Sequence, residues 1–180
     1  ARRFKALERS GFNRIAARYA DGAWLRASLQ TALLEAAALA PGEHVLDLAA
    51  GPGLLARDAA HQVLPGGWVL ASDIAEGMLA EGLRRATAEG LPGLLAAACD
   101  AEHLAFGDGG FDAALIGLGL FIFPHPAKAL AEVRQADLEV KRATKAARGS
   151  GKGRARVSVA ATVSGKTGKA SASKGSRGKR

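Results

Sequence analysis

One cysteine, Cys99, stands alone in 180 residues, so an internal disulfide framework is excluded and a reducing compartment, the cytoplasm, is the expected setting. No apolar run approaches the roughly 20 residues of a membrane-spanning helix. Nothing at the N-terminus has the layout of a signal peptide, although a chain that starts at Ala1 without methionine leaves room for an upstream segment. The four histidines (His44, His61, His103 and His125) show no metal-ligand spacing, so no metal site is expected and the rings are read as facing solvent. Acid is missing from one region only: residues 141–180 hold 13 of the 25 Lys and Arg and none of the 17 Asp and Glu. That stretch also has no aromatic residue, no Leu and no Ile. Rich in Gly, Ser and Ala, it cannot bury enough surface to offset the entropy of ordering, and it reads as a basic, disordered tail.

With the tail set apart, the net charge of +8 changes meaning, because residues 1–140 carry 12 basic and 17 acidic side chains, a net of −5. With 48% of the chain apolar, this body has the material for one sizeable core. FNRIAARYA (12–20) and WLRASLQTALLEAAAL (24–39) are Ala- and Leu-rich and predict helices, the second stopped by Pro41-Gly42. HVLDLA predicts a strand and GPGLLARDAAHQVL a helix, with Pro52 suited to its first turn. WVLASD, GLLAAACD and FDAALIGLGL predict three further strands. AEGMLAEGLRRATAEG and PAKALAEVRQADLEV supply the other helices. Strands alternating with helices imply an α/β, Rossmann-like, mostly parallel sheet with helices on both faces. The expected organisation is an N-terminal helical segment at 1–40, a Rossmann-like domain at 41–140 and the basic tail at 141–180.

In such sheets ligands bind beyond the carboxyl ends of the strands. Three acids fall at those ends: Asp47, Asp73 and Asp100. A Gly-rich turn follows the first, in VLDLAAGPG. Gly51-Pro-Gly53-Leu-Leu-Ala56 fits the dinucleotide pattern, with Asp73 placed 20 residues past Gly53 as a ribose ligand. Asp47 argues against a dinucleotide, because a carboxylate beside the turn opposes the pyrophosphate that a helix N-terminus favours. A sulfonium cofactor without phosphate, with an ammonium at its methionyl end, is attracted by the same carboxylate.

These segments, VLDLAAGPG, WVLASDIAEGML and DAEHLAFGDGGFDAAL, resemble the class I (Rossmann-like) S-adenosylmethionine-dependent methyltransferases, closest to the small-molecule branch typified by quinone-biosynthesis enzymes. The resemblance covers roughly residues 12–134. It implies S-adenosyl-L-methionine as cofactor, with Ala49, Gly51 and Gly53 in the turn around its methionyl part and Asp47 near the amino group. Asp73 would take the ribose hydroxyls, and Ile74 and Met78 would flank the adenine. Asp100 would accept from the adenine amino group, and the Ala101 backbone would meet the ring edge. Gly117 would line the meeting place of cofactor and acceptor, and Tyr19 resembles a tyrosine that closes over the cofactor. Each has a plainer reading: Asp47 and Asp73 as helix N-terminal acids, Met78 as core, Tyr19 as an ordinary half-buried side chain. Cys99 is read as an inert buried thiol.

The implied reaction is in-line methyl transfer to a small, hydrophobic molecule, in which the protein aligns the partners and excludes water. No general base can be named. Where related enzymes carry polar residues after the fourth strand, this chain has Phe121 and Ile122, read either as an apolar floor for the acceptor or as core. Beyond Arg134 the family pattern fades. GKGRARVSVAA supplies a candidate fifth strand at 153–161, no closing hairpin is expected after it, and an exposed edge would follow. The tail has two readings. As a functional arm it would bind nucleic acid or an anionic surface without reading sequence, since it lacks aromatics for stacking. As an aberrant terminus it would do nothing. A nucleic-acid-associated protein with a silent Rossmann-like body is the alternative function, and a nicotinamide-dependent oxidoreductase a distant third.

Overall fold

The computed structural model describes residues 1–106 and 110–134, together with the backbone of a strand at Arg156–Ala160. Five strands form one sheet: β1 (His44–Leu48), β2 (Trp68–Asp73), β3 (Leu94–Ala98), β4 (Ala113–Gly117) and β5 (Arg156–Ala160). Their order is β3-β2-β1-β4-β5, and every pairing is parallel. The chain leaves β1 toward one edge and returns to place β4 on the other side of it, so the switch point lies between β1 and β4. The fifth strand forms within the stretch the sequence nominates. The rest of residues 141–180, and with it the expected disorder of the tail, lies outside the described residues.

Side-chain alternation along β1 separates the two cores. Val45 joins Leu33, Leu34, Leu55, Ala59, Val63, Val69 and Leu115 on one face. Leu46 and Leu48 join Phe111, Ile116, Ala129 and Val133 on the other. Asp47 has the parity of Val45, so its carboxylate points into the apolar layer beneath the helices rather than into water.

The helices are α1 (Arg2–Asp21), α2 (Ala27–Ala37), α3 (Leu54–Val63), α4 (Glu76–Ala88) and α5 (126–134). Three boundaries correct the sequence reading. First, α1 begins about ten residues before the expected start at residue 12, because Lys5 and Arg9 are tied across the fold to Asp100, Glu102 and Glu76. Second, the 24–39 helix opens with a separate 3-10 turn at Ala23–Arg26, where the chain bends after Gly22. Third, α3 starts at Leu54 and Pro52 is not in its first turn: Gly51 (φ 56°) and Gly53 (φ 65°) are both left-handed, a conformation cheap only for glycine. Among the described residues no helix is long and apolar enough to cross a membrane.

Candidate functional site

At the carboxyl ends of β1, β2 and β4 the sheet carries a cleft that opens to solvent. Its floor holds Ala49, Gly51, Asp73, Ile74, Met78, Ala101 and Gly117. Its roof is α1, which contributes Phe4, Glu8, Phe12 and Tyr19 at near-helical spacing. Leu118, Ile122 and Phe123 close the far wall. A second, smaller cavity adjoins it and shares Tyr19, Ala49, Gly51, Gly117 and Leu118 with it. Asp47 lines only this second cavity. Tyr19 stands at the junction, edge-on to Phe12 and beneath the Arg26 guanidinium, which lies 4.2 Å from its ring centroid.

Asp47 is 1% exposed, and neither carboxylate oxygen has a hydrogen-bond partner. Burial pushes its carboxyl up to about 8, and the charge of Asp73 adds to the shift. The Ala56 amide approaches without reaching hydrogen-bond geometry and offsets this only in part. A buried acid left unpaired is costly unless a partner arrives from outside. Asp73 differs. Its Oδ2 accepts from the Gly51 N–H at 2.8 Å and its Oδ1 from the Ala75 N–H at 2.8 Å. Burial holds its carboxyl above the ordinary value, and these amides offset that only in part. Asp73 thereby ties the Gly-rich turn to the start of α4 and leaves lone pairs free toward the cleft.

Asp100 is engaged from above. The Lys5 ammonium donates to both its oxygens, at 2.8 and 2.7 Å, and to Glu102 Oε2 at 2.8 Å. Glu102 is 2% exposed, and its other oxygen accepts from the His125 N–H at 2.8 Å. Burial opposes the Lys5 charge, but the two carboxylates outweigh it and hold the ammonium above the ordinary lysine value. Burial likewise raises Asp100, but Lys5, the Glu102 amide and His103 bring it below the ordinary carboxylate range. Lys5→Met should therefore cost about 1–3 kcal/mol, since it removes the cation beside Glu102 and leaves its buried Oε2 without a hydrogen bond. The contribution of depressed carboxylates is present above their unfolded values and lost as pH falls through their folded ones. Thermal melts should accordingly show the gap between Lys5→Met and wild type at pH 7 closing in acid.

The expected ligands fall into three groups. Ala49, Gly51, Asp73, Ile74, Met78, Asp100, Ala101, Gly117 and Tyr19 meet around the large cleft, and Asp47 meets its neighbour. Met78 serves both readings, 1% exposed and packed on Ala16 and Ala75 while it lines the cleft. Gly53 lines neither cavity; it shapes the turn from behind, its amide donating to Ala50 O at 3.0 Å. Two plain readings are corrected. Cys99 is only partly buried and lines the cleft, its thiol facing the carbonyls of Asp100 and His103. His44 is only partly exposed: it stacks on Trp68 with centroids 4.5 Å apart, and its Nδ1 meets Gly110 O. Of the proposed floor, Ile122 lines the cleft whereas Phe121 is 65% exposed and is neither floor nor core. Sequence reading missed Lys5, Glu8, Phe12 and Arg26; the recurrence of Phe4, Glu8 and Phe12 four residues apart was the available signal.

The family model described as "Methyltransferase domain" matches residues 45–136, which span β1 to the end of α5 and include the turn and the three acids. The chain belongs to this methyltransferase family. Among relatives of this methyltransferase domain is the ubiquinone/menaquinone biosynthesis C-methyltransferase UbiE of Cupriavidus pinatubonensis, 43% identical over 95 residues, or 53% of this chain and 39% of that protein. The demethylmenaquinone methyltransferase of Beutenbergia cavernae is 43% identical over 100 residues, 56% of this chain and 36% of that protein. The matched segment of this chain thus covers well under half the length of those curated relatives. A solved S-adenosylmethionine-dependent methyltransferase from Aquifex aeolicus shares the fold, with a TM-score of 0.55, 21% identity, and coverage of 59% of this chain and 57% of that one.

The family's cofactor is S-adenosylmethionine, and the residues present fit it. An orphaned buried carboxylate at Asp47 suits an ammonium. A Cβ added at Gly51 would point toward the Tyr19 ring, 3.9 Å from Cε1, into the space between the cavities. Nothing in the turn is suited to neutralising a pyrophosphate.

Proposed function

We propose that this domain catalyses methyl transfer from S-adenosylmethionine to a small hydrophobic acceptor of the quinone class. The observation that carries the reading is Asp47: a fully buried, unpartnered carboxylate is complementary to a cationic ligand and hostile to a phosphate. Bound there, the cofactor supplies a methyl group already activated by its sulfonium. Asp47 holds the ammonium, and the Gly51 turn lets backbone approach the methionyl chain. Asp73 accepts from the ribose, Ile74 and Met78 enclose the base, and Asp100 with the Ala101 backbone meets its polar edge. Phe12, Leu118, Ile122 and Phe123 give the acceptor an apolar setting and keep water out, which is most of what an in-line displacement asks of a protein. The activities of the quinone-biosynthesis relatives favour the same acceptor class. The cytoplasm is the compartment this reading assigns.

Calorimetric titration with S-adenosylhomocysteine, with NAD in parallel, tests the proposal. Micromolar binding of the first and none of the second is expected. Asp73→Ala should weaken that binding by at least about 10-fold, since even one hydrogen bond from a ribose hydroxyl to a charged acceptor is worth roughly 1.5–3 kcal/mol. Equal binding of NAD would reverse the assignment of the turn.

A further inference from the structure

We infer that the outer face of α1, with the 3-10 turn that follows it, is a docking surface for an anionic phospholipid bilayer. Of the large apolar side chains that stand exposed among the described residues, Phe4, Leu7, Ile15, Trp24 and Leu25 all lie on α1 or on that turn. Phe4, Leu7, Gly11, Ile15 and Arg18 recur every three or four residues, so they form one stripe along the helix. That stripe lies away from the face whose Ala16 and Ala20 are buried against the domain. A helix that packs one face and still presents Phe, Leu and Ile on another carries apolar surface that the described fold leaves uncovered. Trp24 and Leu25, 75% and 66% exposed, extend that surface past the bend at Gly22.

Charge decides the occupant. Residues 1–26 hold seven basic and two acidic side chains, a net of +5, while residues 27–140 hold five basic and fifteen acidic, a net of −10. Neither acid of the first segment opposes an anion at the stripe: Glu8 lines the cleft and Asp21 is paired with Arg85. Lys5 and Arg9 are tied to Asp100, Glu102 and Glu76. Arg2, Arg3, Arg14 and Arg18 are exposed and form no ion pair among the described residues. Apolar side chains bordered by unpaired arginines match a bilayer surface, where the first enter the boundary of headgroup and acyl chain and the second meet lipid phosphate. Nucleic acid would use the arginines and leave the Phe, Leu, Ile and Trp side chains in water. Phe4 belongs to the stripe and also lines the cleft, so docking sets the cleft mouth at the lipid boundary. That position suits the hydrophobic acceptor proposed above, while the docking itself rests on α1 and not on the cofactor reading.

Trp24 makes the surface testable. The other tryptophan, Trp68, is packed on the core and stacked on His44, so Trp24 alone can meet acyl chains. With vesicles of equal phosphatidylglycerol and phosphatidylcholine, the full chain should co-sediment, and Trp24 emission should shift to the blue and be quenched by brominated acyl chains. Phosphatidylcholine alone should bind at least about 10-fold more weakly. Leu7→Gln should weaken binding to the mixed vesicles about 10-fold, and Arg14→Gln combined with Arg18→Gln about 10- to 30-fold. All three residues are exposed and lie outside both cavities, so these variants should melt as wild type does. Residues 141–180 carry 13 basic side chains that can draw the chain onto the same vesicles. Sedimentation with Trp24 unquenched, or unchanged by Leu7→Gln, would assign the binding to that stretch and overturn the docking face. Equal binding to phosphatidylcholine would overturn the role given to the arginines. Trp24 emission already blue and shielded from iodide without vesicles would mean that another part of the chain or a second copy covers the face, and the inference would fall.

Discussion

At pH 8, Asp47→Asn should bind S-adenosylhomocysteine at least about 100-fold more weakly than wild type, and yet melt at a higher temperature when free of ligand. Both results follow from one geometry. The carboxyl group is buried with no partner, so the ligand-free protein bears the cost either of hiding a charge or of keeping a proton that the unfolded chain would release. In the folded state the carboxyl titrates at about 8 against an ordinary value of 3.8. Between those values the native state holds a proton that the unfolded chain has released. The stability tied to that proton is complete below the unfolded value and is lost as pH rises through the window, by up to about 1.4 kcal/mol per unit. An amide does not titrate. The advantage of Asp47→Asn should therefore grow from pH 5 to pH 8, and each kcal/mol is worth about 2–4 °C in a chain of this size. Ligand reverses the preference, because its ammonium needs the ionised form. Binding near pH 7 should release up to one proton, and affinity should climb toward pH 8. Calorimetry in two buffers of different ionisation heat reads the proton directly. A variant that binds like wild type would remove Asp47 from the site.

That an acid stands beside a Gly-rich turn is legible in the sequence, whereas its burial without a partner is not. VLDLAAGPG announces a strand, an acid and a turn, and the strand's two-residue period already places Asp47 on the face of Val45. Asp73 and Asp100 were legible for the same reason, as acids at successive strand ends. What stayed hidden depends on contacts far apart in the chain. Lys5 reaches Asp100 across 95 positions, and nothing local in RRFKALERSG marks it as the residue that clamps a roof onto the cleft. Arg26 read as one more polar position in an Ala-rich helix; only the bend after Gly22 brings it over Tyr19. Cys99 and His44 were misread because exposure at a strand's end is set by the loops around it, here 99–103 and the Trp68 ring.

Gly82→Ala should cost about 2–3 kcal/mol and also loosen cofactor binding, although alanine is the better helix former by about 1 kcal/mol. Gly82 sits in the middle of α4, buried, where the helix crosses the Gly-rich turn. A Cβ there would meet Pro52 O at 2.8 Å and Pro52 C at 2.9 Å. Both are backbone atoms, and they belong to the turn whose left-handed glycines form the proposed ligand cradle. Neither partner can yield by rotating a side chain, so α4 must move out or the turn must move in. The second response displaces Gly51, whose amide is fixed on Asp73. Gly77→Ala on the same helix is the control. Its Cβ would come within 2.9 Å of Asn13 Oδ1, the end of a side chain that can swing aside at the loss of one hydrogen bond. Melting temperature and S-adenosylhomocysteine affinity should fall together for Gly82→Ala and change little for Gly77→Ala. Equal effects would mean that the helix as a whole resists the extra methyl, rather than its crossing with the turn.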